Sequence, residues 1–221
     1  MKSQKISTVG FADLSLVEEN GTIQRIYLDA SLKSWIDLSR VPDLSAERFD
    51  KLWKLQPKEN GKIKIYGKEI DVPRKQQAYM KSYWFSGMQH EALELPKDFK
   101  SFLETANASK YATATPFDEM LVNWYKDGND YIGSHADNPK QHIYDEQYGF
   151  IVYSLTYHEP GNDRIFRIKP KSGGRDRIDI PLENGLLVVM GGDMQEHYKH
   201  QVPKTSKNCG KRINITLRQF K

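Results

Sequence analysis

One cysteine, Cys209, stands among 221 residues, so no internal disulfide can form and no cysteine-rich metal cage can be built. Long apolar runs are missing too, and no stretch approaches the roughly 18 residues that a membrane-crossing helix needs. The opening Met1-Lys2-Ser3-Gln4-Lys5 lacks the apolar core of a secretion signal. Repeats and low-complexity tracts are absent as well. Together these absences predict an intracellular protein, nuclear or cytoplasmic, that works without a membrane; a monomer is expected.

What is present suits one globular core, or a core with an appended lobe. Apolar residues make up 38% and charged residues 28%. The net charge of +4 would mean little if spread evenly. It is clustered instead, at Lys58 to Lys75, Arg164 to Arg177 and Lys199 to Arg212. Such clusters read equally well as solvated surface or as footing for a polyanion.

Residues 1–58 read as mixed elements, an N-terminal extension packed on or beside the core. Ser45 to Trp53 has the spacing of a short amphipathic helix with Ser45 as N-cap. Lys62 to Gly67 alternates like a strand running into a turn, and Asp98 to Ala106 predicts another helix. From Met120 the texture changes to short strands: 121–125, 150–157, 164–168, 186–190 and 212–220, separated by Gly, Pro and Asn turns. This predicts a single domain over 1–221, mainly β with flanking helices (α+β), built as a sandwich or jelly roll.

Two distant segments carry the chemistry. In Tyr131-Ile132-Gly133-Ser134-His135-Ala136-Asp137, positions 135 and 137 share one side of an extended backbone, with small Ala136 turned away. A lone His-x-Asp is common at exposed turns; a third ligand is what gives it weight. His197 and His200 compete for that place, and on an extended chain they face opposite ways. His200, ahead of Gln201-Val202-Pro203, is the expected ligand. Two histidines and one carboxylate leave metal positions open, the arrangement of non-haem Fe(II) oxygenases. A zinc hydrolase is the rival reading of the same three residues.

Arg212, Asn214, Thr216 and Arg218 share one face of a strand whose other face is Ile213, Ile215 and Leu217. Buried guanidinium groups need anionic partners, and a bound dicarboxylate would provide them. Asn123 and Tyr125 form a second same-face pair able to donate hydrogen bonds to it. An edge strand with one face in water would give the same pattern. A zinc hydrolase would leave both arginines without a role.

The chain resembles the AlkB-type 2-oxoglutarate- and Fe(II)-dependent nucleic-acid dealkylases, nearest their eukaryotic-type DNA repair members. The resemblance lies in Val72-Pro73-Arg74-Lys75-Gln76, Phe85-Ser86-Gly87, Asn123-Trp124-Tyr125-Lys126-Asp127-Gly128, Tyr131 to Asp137, Ile165-Phe166-Arg167, His200 to Pro203 and Arg212 to Arg218. It implies a double-stranded β-helix core over 117–220, an N-terminal helical and hairpin extension, and a nucleotide-recognition lid over 59–95. It further implies His135, Asp137 and His200 as iron ligands and Arg212 on the distal carboxylate of 2-oxoglutarate. Arg218 would lie near the inner carboxylate and Asp137, with Asn123, Tyr125, Asn214 and Thr216 as further co-substrate contacts.

The activity so implied uses Fe(II), 2-oxoglutarate and O2 to hydroxylate an N-methyl carbon on alkylated DNA or RNA, of the 1-methyladenine or 3-methylcytosine type. Formaldehyde then leaves. A target base must be flipped out or already single-stranded. Tyr83 and Phe85-Ser86 would grip it, with the His135 imidazole as second face, and Tyr66 would fill the gap left in a duplex. Arg74, Lys75, Arg167 and Lys204 are expected on phosphates. One departure stands out. Asn138-Pro139-Lys140 follow Asp137 where close repair relatives carry acidic residues that touch the base, which leaves open another alkylated base, or RNA. Two alternatives stay beside this reading: an oxygenase of a protein or other small substrate, and a catalytically idle jelly roll that binds nucleic acid.

Overall fold

The computed structural model describes residues 6–9, 16–19, 23–65, 67–85, 87–112 and 115–221; at 16–19, 65 and 85 it describes the backbone alone. Tyr66 and Ser86 lie outside the described residues, as does the Phe85 side chain. The strands are β1 (Ser7–Val9), β2 (Leu16–Glu19), β3 (Ile23–Tyr27), β4 (Ser34–Arg40), β5 (Lys62–Ile65), β6 (Lys68–Asp71), β7 (Lys75–Tyr79), β8 (Tyr83–Phe85), β9 (Met88–His90), β10 (Ala92–Leu93), β11 (Glu119–Tyr125), β12 (Ile132–His135), β13 (Val152–His158), β14 (Arg164–Pro170), β15 (Arg177–Leu182), β16 (Leu186–Gly192), β17 (Tyr198–Val202) and β18 (Arg212–Arg218). The helices are α1 (Ala46–Lys54), α2 (Lys97–Asn107) and the short α3 (Met194–His197).

Two sheets form the core, in the order β10-β7-β11-β18-β13-β16-β4-β3-β2 and β1-β15-β14-β17-β12. Neighbours run antiparallel except β10 and β7. The mainly-β class and jelly-roll architecture expected from the chain are what the molecule adopts. The hairpins β5–β6 and β8–β9 stand as separate two-stranded ribbons.

Alternation along the central strands separates a helix-facing side from a pocket-facing side. Ile213, Ile215 and Leu217 of β18 join Met120, Val122 and Trp124 of β11 in a cluster completed by Phe49 and Leu52 of α1 and Phe99, Phe102 and Ala106 of α2. The intervening residues of β11 and β18 face the other sheet. There Ile36, Leu38, Val188 and Met190 pack against Phe166, Ile168, Ile178 and Ile180. Each fully buried side chain of this size contributes about 1.5–3 kcal/mol.

Ser45 caps α1 as expected, its Oγ accepting from the Arg48 amide at 3.2 Å. Leu52 is fully buried, and its carbonyl accepts from Trp124 Nε1 at 3.0 Å, which ties α1 to the back of β11. Within residues 1–58, β3 and β4 extend the large sheet, β4 pairing with β16 along its whole length. Gly192, at φ +62, ends β16 where a Cβ would run into the Lys33 carbonyl. That turn launches α3 and so fixes Gln195.

Candidate metal and co-substrate site

β12 and β17 place His135 directly opposite His200. Their ring centroids are 4.3 Å apart. Asp137 follows two residues later, and its Oδ1 lies 3.8 Å from His135 Nε2. One ligand atom from each of the three lies within 4.8 Å of the others. The second nitrogen of His135 settles its tautomer. Nδ1 donates to the Gly133 carbonyl at 2.8 Å, and a carbonyl can only accept, so Nε2 keeps a lone pair for a metal. His197 ends α3 exposed, while His200 is buried beside His135 and Asp137.

Charge state suits ligation as well. Burial, then the neighbouring His135, pulls His200 down to about 3, and burial also lowers His135. Both imidazoles are neutral at pH 7, as ligands must be. Burial would raise the Asp137 carboxyl, but Arg218 first, then His200 and His135, hold it well below the usual carboxylate range. Asp137 is fixed from two sides. Its amide donates to Gln195 Oε1 at 2.9 Å, and its Oδ2 accepts from Arg218 Nε at 2.9 Å. Arg218 Nη1 also donates to Glu119 Oε2 at 3.0 Å. Burial pushes Glu119 up to about 7, with Arg218 opposing.

A cavity of about 270 Å³ runs from this cluster between the sheets. Arg212 lies in its wall, 3% exposed. Nη2 donates to Thr156 Oγ1 at 3.0 Å, and the guanidinium lies 4.6 Å from the Tyr125 ring centroid. Nε and Nη1 are buried without a hydrogen-bond partner. Burial lowers the Arg212 pKa to about 10, the mark of a cation short of an anion. A carboxylate seated there would satisfy both N–H groups. Asn123, Asn214, Thr216 and Arg218 line the same cavity. Asn214 Nδ2 donates to Ser154 Oγ at 2.8 Å and the Leu155 carbonyl at 2.9 Å, and Thr216 Oγ1 donates to Asn214 Oδ1 at 3.1 Å. The residues therefore fit both groups: three ligand atoms for a divalent metal, and an unsatisfied buried guanidinium for a small dicarboxylate.

Two expected phosphate contacts sit elsewhere. Arg74 is buried and lines the cavity, with Nε donating to Asn123 Oδ1 at 2.7 Å, Nη2 to Gln76 Oε1 at 2.9 Å and Nη1 to the Tyr131 carbonyl at 3.2 Å. It orients Asn123 rather than meeting a phosphate. Arg167 falls on the outer face of β14, since its neighbour Phe166 takes the cavity side, and it forms a two-pronged pair with Asp179 at 2.6 Å. Lys75 donates to the Lys58 carbonyl at 2.9 Å, and exposed Lys204 rests on the Tyr131 ring. Tyr83 does reach the cavity. It is buried, stacked 4.9 Å from His90, and accepts at Oη from Gln76 Nε2 at 3.4 Å. Trp84 stands 54% exposed at the rim, its carbonyl accepting from Gln141 Nε2 at 3.2 Å.

Sequence reasoning passed over Glu119, Gln195, His142 and Arg164. His142 lines the cavity, buried, with Nδ1 unpartnered. Arg164 clamps the Asp127, Asp130 and Pro203 carbonyls at 2.7–2.9 Å, which holds the loop before β12 against the end of β17. Of these, Glu119 had a readable signal: it shares a strand face with Asn123 and Tyr125, where a carboxylate calls for a partner.

Comparison with known proteins agrees with this geometry. The family model described as the 2OG-Fe(II) oxygenase superfamily matches residues 43–218. DNA oxidative demethylase ALKBH2 of Mus musculus is 30% identical over 168 residues, covering 72% of this chain and 66% of that protein. The Homo sapiens ALKBH2 is 28% identical, covering 72% and 61%. This chain thus spans less than two thirds of the length of those relatives. A crystal structure of an oxidoreductase of the 2OG-Fe(II) oxygenase family from Burkholderia pseudomallei superposes with a TM-score of 0.51 at 16% identity, covering 82% of this chain and 84% of that one, and shares the fold. The chain belongs to the 2OG-Fe(II) oxygenase superfamily, on its AlkB-type branch, and the family's cofactors are Fe(II), 2-oxoglutarate and O2.

Proposed function

We propose that this chain is an oxidative demethylase of N-alkylated nucleobases in DNA or RNA, acting as an intracellular monomer. The observation that carries the oxygenase part is Arg212, whose buried Nε and Nη1 stand without partners in the cavity that His135, Asp137 and His200 also line. The relatives' names, DNA oxidative demethylase, support the substrate class.

In this reading His135, Asp137 and His200 hold Fe(II), which with 2-oxoglutarate and O2 supplies the oxidising power. Arg212 takes one carboxylate of the co-substrate, with Asn123, Tyr125, Asn214 and Thr216 around it. Arg218 keeps Asp137 turned toward the metal. Leu121, Val152, Phe166, Val188 and Met190 line the cavity with apolar surface that excludes water from the reacting centre. The target base enters past Tyr83 and Trp84. In balance, N–CH3, O2 and 2-oxoglutarate become N–H, formaldehyde, succinate and CO2.

Formaldehyde release from 1-methyladenine- and 3-methylcytosine-containing DNA and RNA oligonucleotides tests the proposal, with Asp137→Ala as control. Release that vanishes in the control supports it and ranks the substrates. Turnover of 2-oxoglutarate without formaldehyde would redirect it to a non-nucleic-acid substrate. No turnover at all would leave an idle binding module.

A further inference from the structure

Arg218 is gripped by two carboxylates. Nε donates to Asp137 Oδ2 at 2.9 Å and Nη1 to Glu119 Oε2 at 3.0 Å. Glu119 opens β11 directly opposite Arg218 in the register with β18. It has no exposed surface, and its Oε1 is buried without a hydrogen-bond partner. Glu119 is not among the residues that line the cavity, so no ligand there touches it. A buried carboxylate with one oxygen unsatisfied is costly, and packing alone would favour an apolar residue at this place.

We infer that Glu119 is a positioning residue for the metal: it neutralises Arg218, so that Arg218 can orient Asp137 without cancelling its charge. The charges make the case. Asp137 with Arg218 sums to zero, and imidazoles ligate metals as neutral donors, so those groups alone would offer a divalent cation no net negative charge. In its anionic form, paired with the Arg218 guanidinium, Glu119 restores one negative charge to the row Glu119–Arg218–Asp137. Orientation and charge are thereby divided between two residues. Arg218 occupies Oδ2 and leaves Oδ1 beside His135 Nε2. Glu119, one residue further from the metal, removes the penalty of having a guanidinium there. A nearby dication in turn favours the anionic form of Glu119.

The inference rests on the metal-ligand reading above, which Asp137→Ala tests separately. Mn(II), an oxygen-tolerant probe, is titrated calorimetrically into the full chain and its variants. Glu119→Gln keeps size and one oxygen able to accept from Arg218 Nη1, and removes the charge. It is expected to weaken Mn(II) about tenfold, the scale of outer-shell effects on metal affinity. In an Arg218→Gln background, where no guanidinium needs neutralising, the same change should have much less effect. An unchanged Mn(II) affinity in folded Glu119→Gln overturns the inference, and so does an equal loss in both backgrounds. If Glu119→Gln fails to fold, Glu119→Asp decides: affinity near wild type supports the charge role, and a loss as large as that of Asp137→Ala overturns it. A protein in which Asp137→Ala binds Mn(II) as tightly as wild type would remove the ligand reading itself.

Discussion

His135 and His200, 65 positions apart in the chain, face each other as register partners on β12 and β17 with ring centroids 4.3 Å apart. The sheet therefore sets the spacing of two would-be ligands before any metal arrives. Rigid strands hold such a constellation more tightly than loops do.

Arg212 lies buried beside its unmet need for an anion, and that predicts opposite effects in two conditions. Without co-substrate, Arg212→Met should leave stability unchanged or raise it, since an unsatisfied buried cation is lost. With 2-oxoglutarate at about 100 times its Kd, wild type should gain about 2.7 kcal/mol and the variant almost nothing. Thermal melts with and without 2-oxoglutarate give both numbers.

Gln195 fixes the Asp137 backbone through a single bond at 2.9 Å. Gln195→Leu should cost about 1–3 kcal/mol by orphaning that amide. Metal affinity should also fall, by about tenfold, because a ligand's support is lost. Urea titration and Mn(II) calorimetry separate the two effects.

Leu52→Ala removes a fully buried side chain from the helix layer behind β11. The expected loss is about 2–5 kcal/mol of stability. Co-substrate affinity of the folded fraction should not change, because Leu52 contributes nothing to the cavity wall.

His142 titrates against the fold. Burial, opposed by Asp137, lowers its pKa to about 4. A histidine so depressed binds fewer protons folded than unfolded, so stability is full above its unfolded value of 6.5 and drains as pH falls from there toward 4. The loss amounts to about 3 kcal/mol at most. His142→Gln should reduce the slope of denaturation midpoints across that window without abolishing it, because His200, held at about 3, loses stability over the same range; a slope equal to wild type's would show that His142 contributes nothing to it.

Trp84 and Arg167 should behave oppositely on an oligonucleotide substrate. Trp84→Ala should raise KM about tenfold with kcat kept, in line with one lost stacking surface. Arg167→Ala should leave kinetics at wild-type values and cost at most ~1 kcal/mol of stability, because its pair with Asp179 is partly exposed. Steady-state formaldehyde release on single-stranded oligonucleotides measures both.

The period-2 alternation of β18 was legible because each polar residue falls where an apolar one would otherwise be required. The same alternation paired His135 with Asp137, while a capping residue ahead of an amphipathic run marked the start of α1 at Ser45. β15 was missed, its run being interrupted by Asp179 and Pro181, and the pairing of β4 with β16 is a long-range fact no local pattern records. Arg74 was misplaced for a related reason. Composition counts a positive charge but cannot say that Asn123, Gln76 and the Tyr131 carbonyl will enclose it. Glu119 meets its partner 99 positions away, which only the folded register brings about.

β18 lies between β11 and β13, with all seven of its residues buried. Its amides should thus be among the last to exchange with deuterated solvent, opening only when the whole domain does. The guanidinium groups of Arg212 and Arg218 ride on that strand. If the proposed function holds, co-substrate capture would rest on this slow-exchanging strand, and any mobility needed for turnover would come from the rim of the cavity, where β8 and β9 stand apart from both sheets.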